Sequence, residues 1–125
     1  MYEIGVIAHF EAAHRLVGDF GPATRLHGHT YRLEVTLRGE RLQPDGTLYD
    51  IGRLRAEVDA LAAALHYREL ETVPGLVGVN TTAEAVASYC WEALAGNLGG
   101  KGLASLRVAV WESHEGFAVR DEVVR

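Results

Sequence analysis

The segment from residue 30 to residue 38 alternates between apolar and polar side chains, and this pattern constrains the fold more than any other feature. A period of two predicts a β-strand with one buried face. The strand is preceded directly by His27-Gly28-His29, so both imidazoles are predicted to project to the same side. The apolar parity holds Tyr31, Leu33, Val35 and Leu37, and the polar parity holds Arg32, Glu34, Thr36 and Arg38.

Three further strands are predicted by the same alternation. They cover residues 2–10, about 105–113 and 117–124. Between the second and third strands the period changes to steps of three and four, which predicts helices.

The first helix is predicted to run from an N-cap at Asp50 to Leu65. The segment Thr81-Thr82-Ala83-Glu84 predicts a capping box, in which a threonine hydroxyl and a glutamate satisfy backbone donors at the start of a second helix. The order is therefore β-β-α-α-β-β. It predicts an α+β fold in which an antiparallel sheet of four strands carries both helices on one face.

Composition and charge argue against several classes of protein. The 125 residues predict one domain, residues 1–125, and the net charge of −5 argues against a nucleic-acid partner. The apolar runs are too short for a membrane span, and no secretory signal is evident, so the cytoplasm is the expected location. Cys90 is the single cysteine and follows the apolar stripe of the second helix, so a packed thiol is favoured over a nucleophile.

A third histidine makes the His27-Gly28-His29 pair a candidate metal site. His14 precedes the loop before the second strand, and a hairpin of this length returns it to the neighbourhood of His27. Three imidazoles without a thiolate are typical of zinc with an open fourth position. From the spacing alone, an ordinary structural role for the histidines stays an equal alternative.

Glu112 has the parity of the apolar residues in the third predicted strand, Leu106, Val108 and Val110. A carboxylate on a buried face is costly unless a partner group meets it. Glu112 is therefore either a functional carboxylate or a strand-end residue in water. On residue pattern alone, Thr82 and Glu84 are most simply helix-capping residues.

Four motifs together resemble the 6-pyruvoyl-tetrahydropterin synthase family, which includes 6-carboxytetrahydropterin synthase. The resemblance extends from about residue 3 to residue 120. The motifs are Phe10-Glu11-Ala12-Ala13-His14-Arg15-Leu16, Leu26-His27-Gly28-His29, Thr82-Ala83-Glu84 and Val110-Trp111-Glu112-Ser113.

This resemblance implies a fold, a cofactor and a substrate class. In the family, a sheet of this order joins edge to edge with its copies into barrels, commonly trimers paired into hexamers. The histidines that match His14, His27 and His29 bind Zn²⁺. The glutamate that matches Glu112 holds a pterin ring, and Thr82 matches a residue lining the same pocket. The implied partners are a small-molecule reduced pterin and further copies of the chain, with neither nucleic acid nor membrane.

The sequence departs from the family in its proton-transfer groups. Typical members have a cysteine base four residues before the first histidine of the pair, where this chain has Ala23. The Asp and His that activate that thiol match His66 and Tyr67, or a one-residue shift gives His66 the His role. Asp19, His66, Tyr67 and His114 are the replacement candidates, and His66 is favoured because imidazole titrates near neutral pH.

Three hypotheses follow. The leading one is a zinc-dependent lyase acting on the C6 side chain of a reduced pterin such as dihydroneopterin triphosphate, with His66 and Glu112 as catalytic residues. The alternative is a catalytically inactive homologue that binds a pterin or purine, which Ala23 favours. The third is a zinc-bearing structural module without a small-molecule ligand.

Overall fold

Five strands and two helices make up the protein, seen in a computed structural model that describes all residues from Met1 to Arg125. The strand order in the single sheet is β3-β1-β2-β4-β5. The α+β class predicted from the sequence is confirmed. The strands are β1 (Tyr2–His14), β2 (His27–Gly39), β3 (Arg68–Glu69), β4 (Ser105–Trp111) and β5 (Phe117–Glu122), and the helices are α1 (Ile51–Leu65) and α2 (Ala83–Ala95).

The prediction of four antiparallel strands is wrong in one respect, because the sheet has a fifth strand. β3 pairs parallel to β1, with Ala12 opposite Arg68 and Ala13 opposite Glu69. The other three pairings are antiparallel, as predicted. Two residues are too few to display a period of two, so the sequence carried no signal for β3.

β1 is also longer than predicted, because it continues past residue 10 to His14. Its last four residues include two adjacent alanines, which blur the alternation. Pairing with β2 extends the strand, and the register ends with His14 directly opposite His27. The strand itself therefore carries the third histidine, which the sequence had placed at the edge of a loop.

Both helices cover the same face of the sheet. α1 packs over β1, and α2 packs over β4 and β5. Their buried side chains meet the apolar parity of the strands in one core, in which Cys90 is fully buried, so the packed-thiol interpretation is confirmed. Neither helix combines the length and the apolar character needed to cross a membrane.

Of the two predicted helix starts, the one at α1 is confirmed and the capping box at α2 is not formed. The Asp50 carboxylate accepts hydrogen bonds from the amides of Gly52 and Arg53, which confirms it as the N-cap of α1. At α2 the cap is Thr82, whose hydroxyl accepts from the Ala85 amide. The residue three positions after that cap is an alanine, so the reciprocal glutamate of a capping box is lacking. Thr81 is thereby free for a different contact.

Candidate metal centre and adjoining cavities

His14, His27 and His29 converge at the ends of β1 and β2. His14 is opposite His27, and His29 is opposite Ala12 in the same ladder. One ring nitrogen from each histidine lies within 4.8 Å of those of the other two. The convergence predicted from the spacing is confirmed, and the cluster can bind one metal ion.

Backbone carbonyls fix two of the rings in the form that a metal requires. Nδ1 of His14 lies 2.8 Å from the Thr81 carbonyl oxygen, and Nδ1 of His27 lies 2.7 Å from the Arg25 carbonyl oxygen. A carbonyl oxygen only accepts, so each Nδ1 donates its proton. Each Nε2 consequently keeps its lone pair, and second contacts of this kind are typical of metal-binding histidines.

The remaining contact joins two of the three rings directly. Nε2 of His29 lies 3.1 Å from Nε2 of His14. Two bare lone pairs repel at that separation, so a proton or a cation has to lie between them. In a tetrahedral zinc site with ordinary Zn–N bonds, two ligand nitrogens are about 3.3 Å apart. The donor set therefore fits zinc, and the separation of these two nitrogens is close to the tetrahedral value, while all three ligand atoms lie within 4.8 Å of one another.

The electrostatics of His29 agree with this arrangement. Burial lowers the pKa of His29, the charge of Glu112 opposes that effect, and His14 and His27 lower the pKa further. The imidazole is thereby kept neutral, which is the form that binds a metal. Glu112 is close enough to act on the ring by its charge.

A second set of contacts meets His14 at Nδ1, the ring nitrogen that is not available to a metal. Thr81 is fully buried, and its hydroxyl oxygen lies 3.3 Å from Nδ1 of His14 and 3.1 Å from Oε1 of Glu71. Burial opposes ionisation of Glu71, but hydrogen bonds from the Arg15 amide, its own backbone and Thr81 outweigh it and lower the pKa of this carboxyl. Neither contact was predictable from the sequence, since the pattern around Thr81 predicts a helix cap and Glu71 belongs to no recognisable motif.

Tyr31 lies beside the cluster, although the sequence predicted only a packing role for it. Its ring centroid is 5.4 Å from that of His29 and 6.1 Å from that of His14. The hydroxyl is buried and has no hydrogen-bond partner. Burial raises the pKa of Tyr31 well above its usual range, and the charges of Glu112 and Glu71 raise it further. The group is therefore a neutral donor with its proton unused.

Two cavities of about 470 Å³ each meet at the strand that carries the histidine pair. Both are lined by Gly28, His29 and Thr30. We call the first the Glu112 cavity; its other lining residues are His9, Arg32, Trp111, Glu112, Ser113 and His114. We call the second the Tyr67 cavity; its other lining residues are Glu11, Ala12, Ala13, Tyr67, Arg68 and Glu69.

The Glu112 cavity offers a carboxylate next to the candidate metal site. None of the chain's six ion pairs involves Glu112. The guanidinium of Arg32 lies 4.4 Å from the ring centroid of Trp111, which in turn stacks on Phe117. The indole N–H of Trp111 is buried without a partner. The cavity thus combines an aromatic wall with unused polar groups, the usual composition of a small-molecule site.

His66 and Tyr67 approach the site from the other side of β1. The Glu11 amide donates to Nδ1 of His66 at 3.0 Å, and the Tyr67 amide donates to the Glu11 carbonyl oxygen at 2.6 Å. The two rings stack with centroids 3.8 Å apart. Tyr67 has a φ of 58°, a conformation that side chains other than glycine rarely adopt. The Glu11 backbone therefore holds a strained dipeptide, and Tyr67 rather than His66 lines the cavity.

The sequence model of the 6-pyruvoyl tetrahydropterin synthase family matches residues 3–122. This chain belongs to that family. The dihydroneopterin monophosphate aldolase of Pyrococcus furiosus is 32% identical to it over 108 residues, which is 86% of this chain and 87% of that protein. The 6-carboxy-5,6,7,8-tetrahydropterin synthase of Synechocystis is 35% identical over 104 residues, covering 79% of this chain and 78% of the relative. The chain is therefore a member of an enzyme family.

Solved structures agree. The 6-pyruvoyl tetrahydropterin synthase of Caenorhabditis elegans superposes with a TM-score of 0.80 at 26% identity, covering 95% of this chain and 94% of that one. The Plasmodium falciparum 6-pyruvoyl tetrahydropterin synthase superposes with a TM-score of 0.81 at 18% identity over 98% of both chains, which supports the fold alone. The family resemblance read from the motifs is confirmed.

Three other residues that the family pattern singles out line neither cavity. Ala23 is in the single-turn helix Gly21–Thr24, and its carbonyl oxygen accepts from the Leu16 amide. Thr82 uses its hydroxyl to cap α2 and is not among the residues lining either cavity. Asp19 lies exposed in the loop between β1 and β2. The substrate-binding role of Thr82 stays a prediction.

Proposed function

We propose that this protein is a zinc-dependent lyase that acts on the C6 side chain of a reduced pterin, such as dihydroneopterin triphosphate. The observation that carries the proposal is the cluster of three histidines, of which His29 lines a cavity together with Glu112. The relatives named as an aldolase and as a tetrahydropterin synthase support the same reaction class.

His14, His27 and His29 would hold the metal. The carbonyl contacts of His14 and His27 leave Nε2 of each of these two rings unprotonated for this role. When bound, zinc supplies Lewis acidity to hydroxyl oxygens of the side chain. The chain itself offers three ligands, which leaves a position for substrate.

Glu112 would anchor the pterin ring. Its carboxylate faces a cavity of about 470 Å³, within the range of ordinary small-molecule pockets. An ionised carboxylate can accept two parallel N–H bonds from the amino-pyrimidinone edge of a pterin, and such charge-assisted pairs are strong and directional. Trp111 provides an apolar wall next to this anchor.

Proton transfer would fall to the His66–Tyr67 dipeptide. The hydrogen bond from the Glu11 amide occupies Nδ1 of His66, so only Nε2 of that ring remains available. Tyr67 lines a cavity together with the metal ligand His29, whereas His66 stacks behind the phenol. We therefore propose that Tyr67 meets the substrate and that His66 supports it. Loss of a general acid or base costs about 10²- to 10⁴-fold in rate.

A turnover screen tests the proposal. The protein would be loaded with one equivalent of zinc and incubated with dihydroneopterin and its phosphate esters, with products separated by chromatography. We expect cleavage or elimination at the C6 side chain, abolished in His27→Ala and reduced about 10²-fold or more in Tyr67→Phe. If the zinc-loaded protein leaves every substrate of the panel unchanged over hours, the enzymatic assignment is wrong.

A second candidate function is binding of a pterin or purine without turnover. The observation that favours it is Ala23, which stands where typical family members have the cysteine base. Tight binding of a pterin without product, together with activity gained in Ala23→Cys, would select this function over the first.

We also propose that the chain forms a homo-oligomer through its sheet edges. β5 is an edge strand, and β3 covers only Ala12 and Ala13 at the outer edge of β1. Long unpaired edges favour strand pairing between copies. The face away from the helices exposes Ile7, Phe117 and Val119, which a closed barrel would shelter. A trimer or hexamer in light-scattering measurements would support this arrangement, and a monomer would contradict it.

A further inference from the structure

Glu71 is a half-buried carboxylate that the proposed reaction does not use. Its Oε1 accepts hydrogen bonds from the Arg15 amide at 2.6 Å and from the Thr81 hydroxyl at 3.1 Å. Its Oε2 is buried and has no hydrogen-bond partner. No ion pair in the chain includes this residue. A carboxylate in such surroundings is costly unless a positive charge compensates it nearby.

Thr81 connects this carboxylate to the histidine cluster. A carboxylate only accepts, so the Thr81 hydroxyl has to donate to Glu71. Its oxygen then presents a lone pair to Nδ1 of His14 at 3.3 Å, beside the Thr81 carbonyl oxygen at 2.8 Å. The carbonyl and hydroxyl oxygens of Thr81 therefore both accept a hydrogen bond from Nδ1 of His14. The hydrogen bond to Glu71 sets the orientation of the Thr81 hydroxyl.

We infer that Glu71 is a positioning residue for the metal centre, acting through Thr81 on His14. By directing the Thr81 hydroxyl, it adds a second acceptor for the Nδ1 proton that the Thr81 carbonyl oxygen already binds, which restrains the orientation of a ring that is 1% exposed. Its charge also compensates that of a divalent cation bound by the histidines. The inference rests on the metal site proposed above. Outer contacts of this kind commonly contribute 10- to 100-fold to metal affinity.

The test is the zinc dissociation constant of the full chain, measured by competition with a chromophoric chelator. Glu71→Gln keeps an acceptor for the Arg15 amide but removes the charge and allows the Thr81 hydroxyl to reverse. Thr81→Val removes the hydroxyl with little change in volume. Glu84→Gln is the control, because it makes the same change in net charge at an exposed residue three positions from Thr81. The visible absorption of the Co²⁺-substituted protein gives a second readout, which reports ligand geometry independently of activity.

We expect Glu71→Gln and Thr81→Val each to weaken zinc binding about 10- to 100-fold and to alter the Co²⁺ spectrum, while Glu84→Gln stays within about twofold of the parent. If Glu71→Gln does not fold, Thr81→Val decides alone. If the parent binds zinc and both variants bind it within about twofold of the parent, this inference is wrong and the metal site stands. If the parent binds no zinc, the metal site fails and the inference fails with it.

Discussion

Removing the hydroxyl of Tyr31 should stabilise the metal-free protein, although the side chain is fully buried. The hydroxyl has no hydrogen-bond partner, while the ring stacks on Phe10 with centroids 4.9 Å apart and would keep that contact in Tyr31→Phe. Most changes at a fully buried aromatic residue are destabilising, so the expected sign is distinctive.

The magnitude follows from what the hydroxyl loses on folding. A buried donor without a partner costs about 1–3 kcal/mol, and the loss of one oxygen's packing contacts offsets part of that gain. We expect a net stabilisation of about 1 kcal/mol. With about 2.1 cal/mol/K of unfolding entropy per residue, a chain of 125 residues would melt about 4 °C higher.

Tyr49→Phe is a matched control, because Tyr49 is also buried but its hydroxyl donates to Oε1 of Glu57 at 3.1 Å. Removing a hydrogen bond to a carboxylate should destabilise the protein by about 1.5–3 kcal/mol. Urea unfolding in the presence of a chelator, at one protein concentration, measures both variants by their midpoints at constant slope. If Tyr31→Phe lowers the unfolding free energy by 1 kcal/mol or more, the hydroxyl has a partner in solution and the reasoning is refuted.

Three further predictions concern the metal, the ring anchor and the thiol. His27→Ala should lose the bound zinc that His114→Ala retains, as measured by metal analysis after dialysis; equal zinc content would contradict the proposed ligands. Glu112→Gln should weaken pterin binding about 10-fold or more in calorimetry without changing zinc content, since hydrogen bonds to charged groups contribute about 1.5–3 kcal/mol, whereas Glu115→Gln should not. Burial raises the pKa of Cys90 from 9.0 to about 12, so its contribution to stability is complete below pH 9 and is lost as the pH rises toward 12. At pH 8 a thiol reagent should therefore react with Cys90 only after unfolding in urea, and rapid reaction of the native protein would contradict its burial.

Local periodicity was enough to predict most of the fold. The alternation along β2 and the three-four spacing along α1 are repeated over many residues, and such long patterns leave little ambiguity. β3 could not be predicted, because a strand of two residues exists only through its partner β1. Thr82 caps α2, as the residue pattern predicted, but the capping box that would pair Thr81 with Glu84 does not form. Thr81 and Thr82 offer the same hydroxyl, and only the tertiary contact of Thr81 with His14 separates them.

The candidate site also has one part that the sequence predicted and one part that it did not. The convergence of His14, His27 and His29 followed from strand parity and hairpin length, because neighbouring antiparallel strands determine which residues are opposite each other. The contacts of Thr81 with His14, and of His66 with Glu11, join residues that are far apart in the chain. Their pairing depends on how the segment after α1 packs against β1, so no local pattern encodes it.

The sequence by itself therefore determined the order of the elements other than β3, the family and the residues that could bind a metal, since each of these is recorded in short-range spacing or in motifs. Only the tertiary structure decided which nitrogens of His14 and His27 are free, that Tyr67 rather than His66 lines a cavity, and that Tyr31 keeps an unused hydroxyl beside the histidines. These properties depend on the hydrogen-bond partners and burial of single atoms. Packing between distant segments sets both.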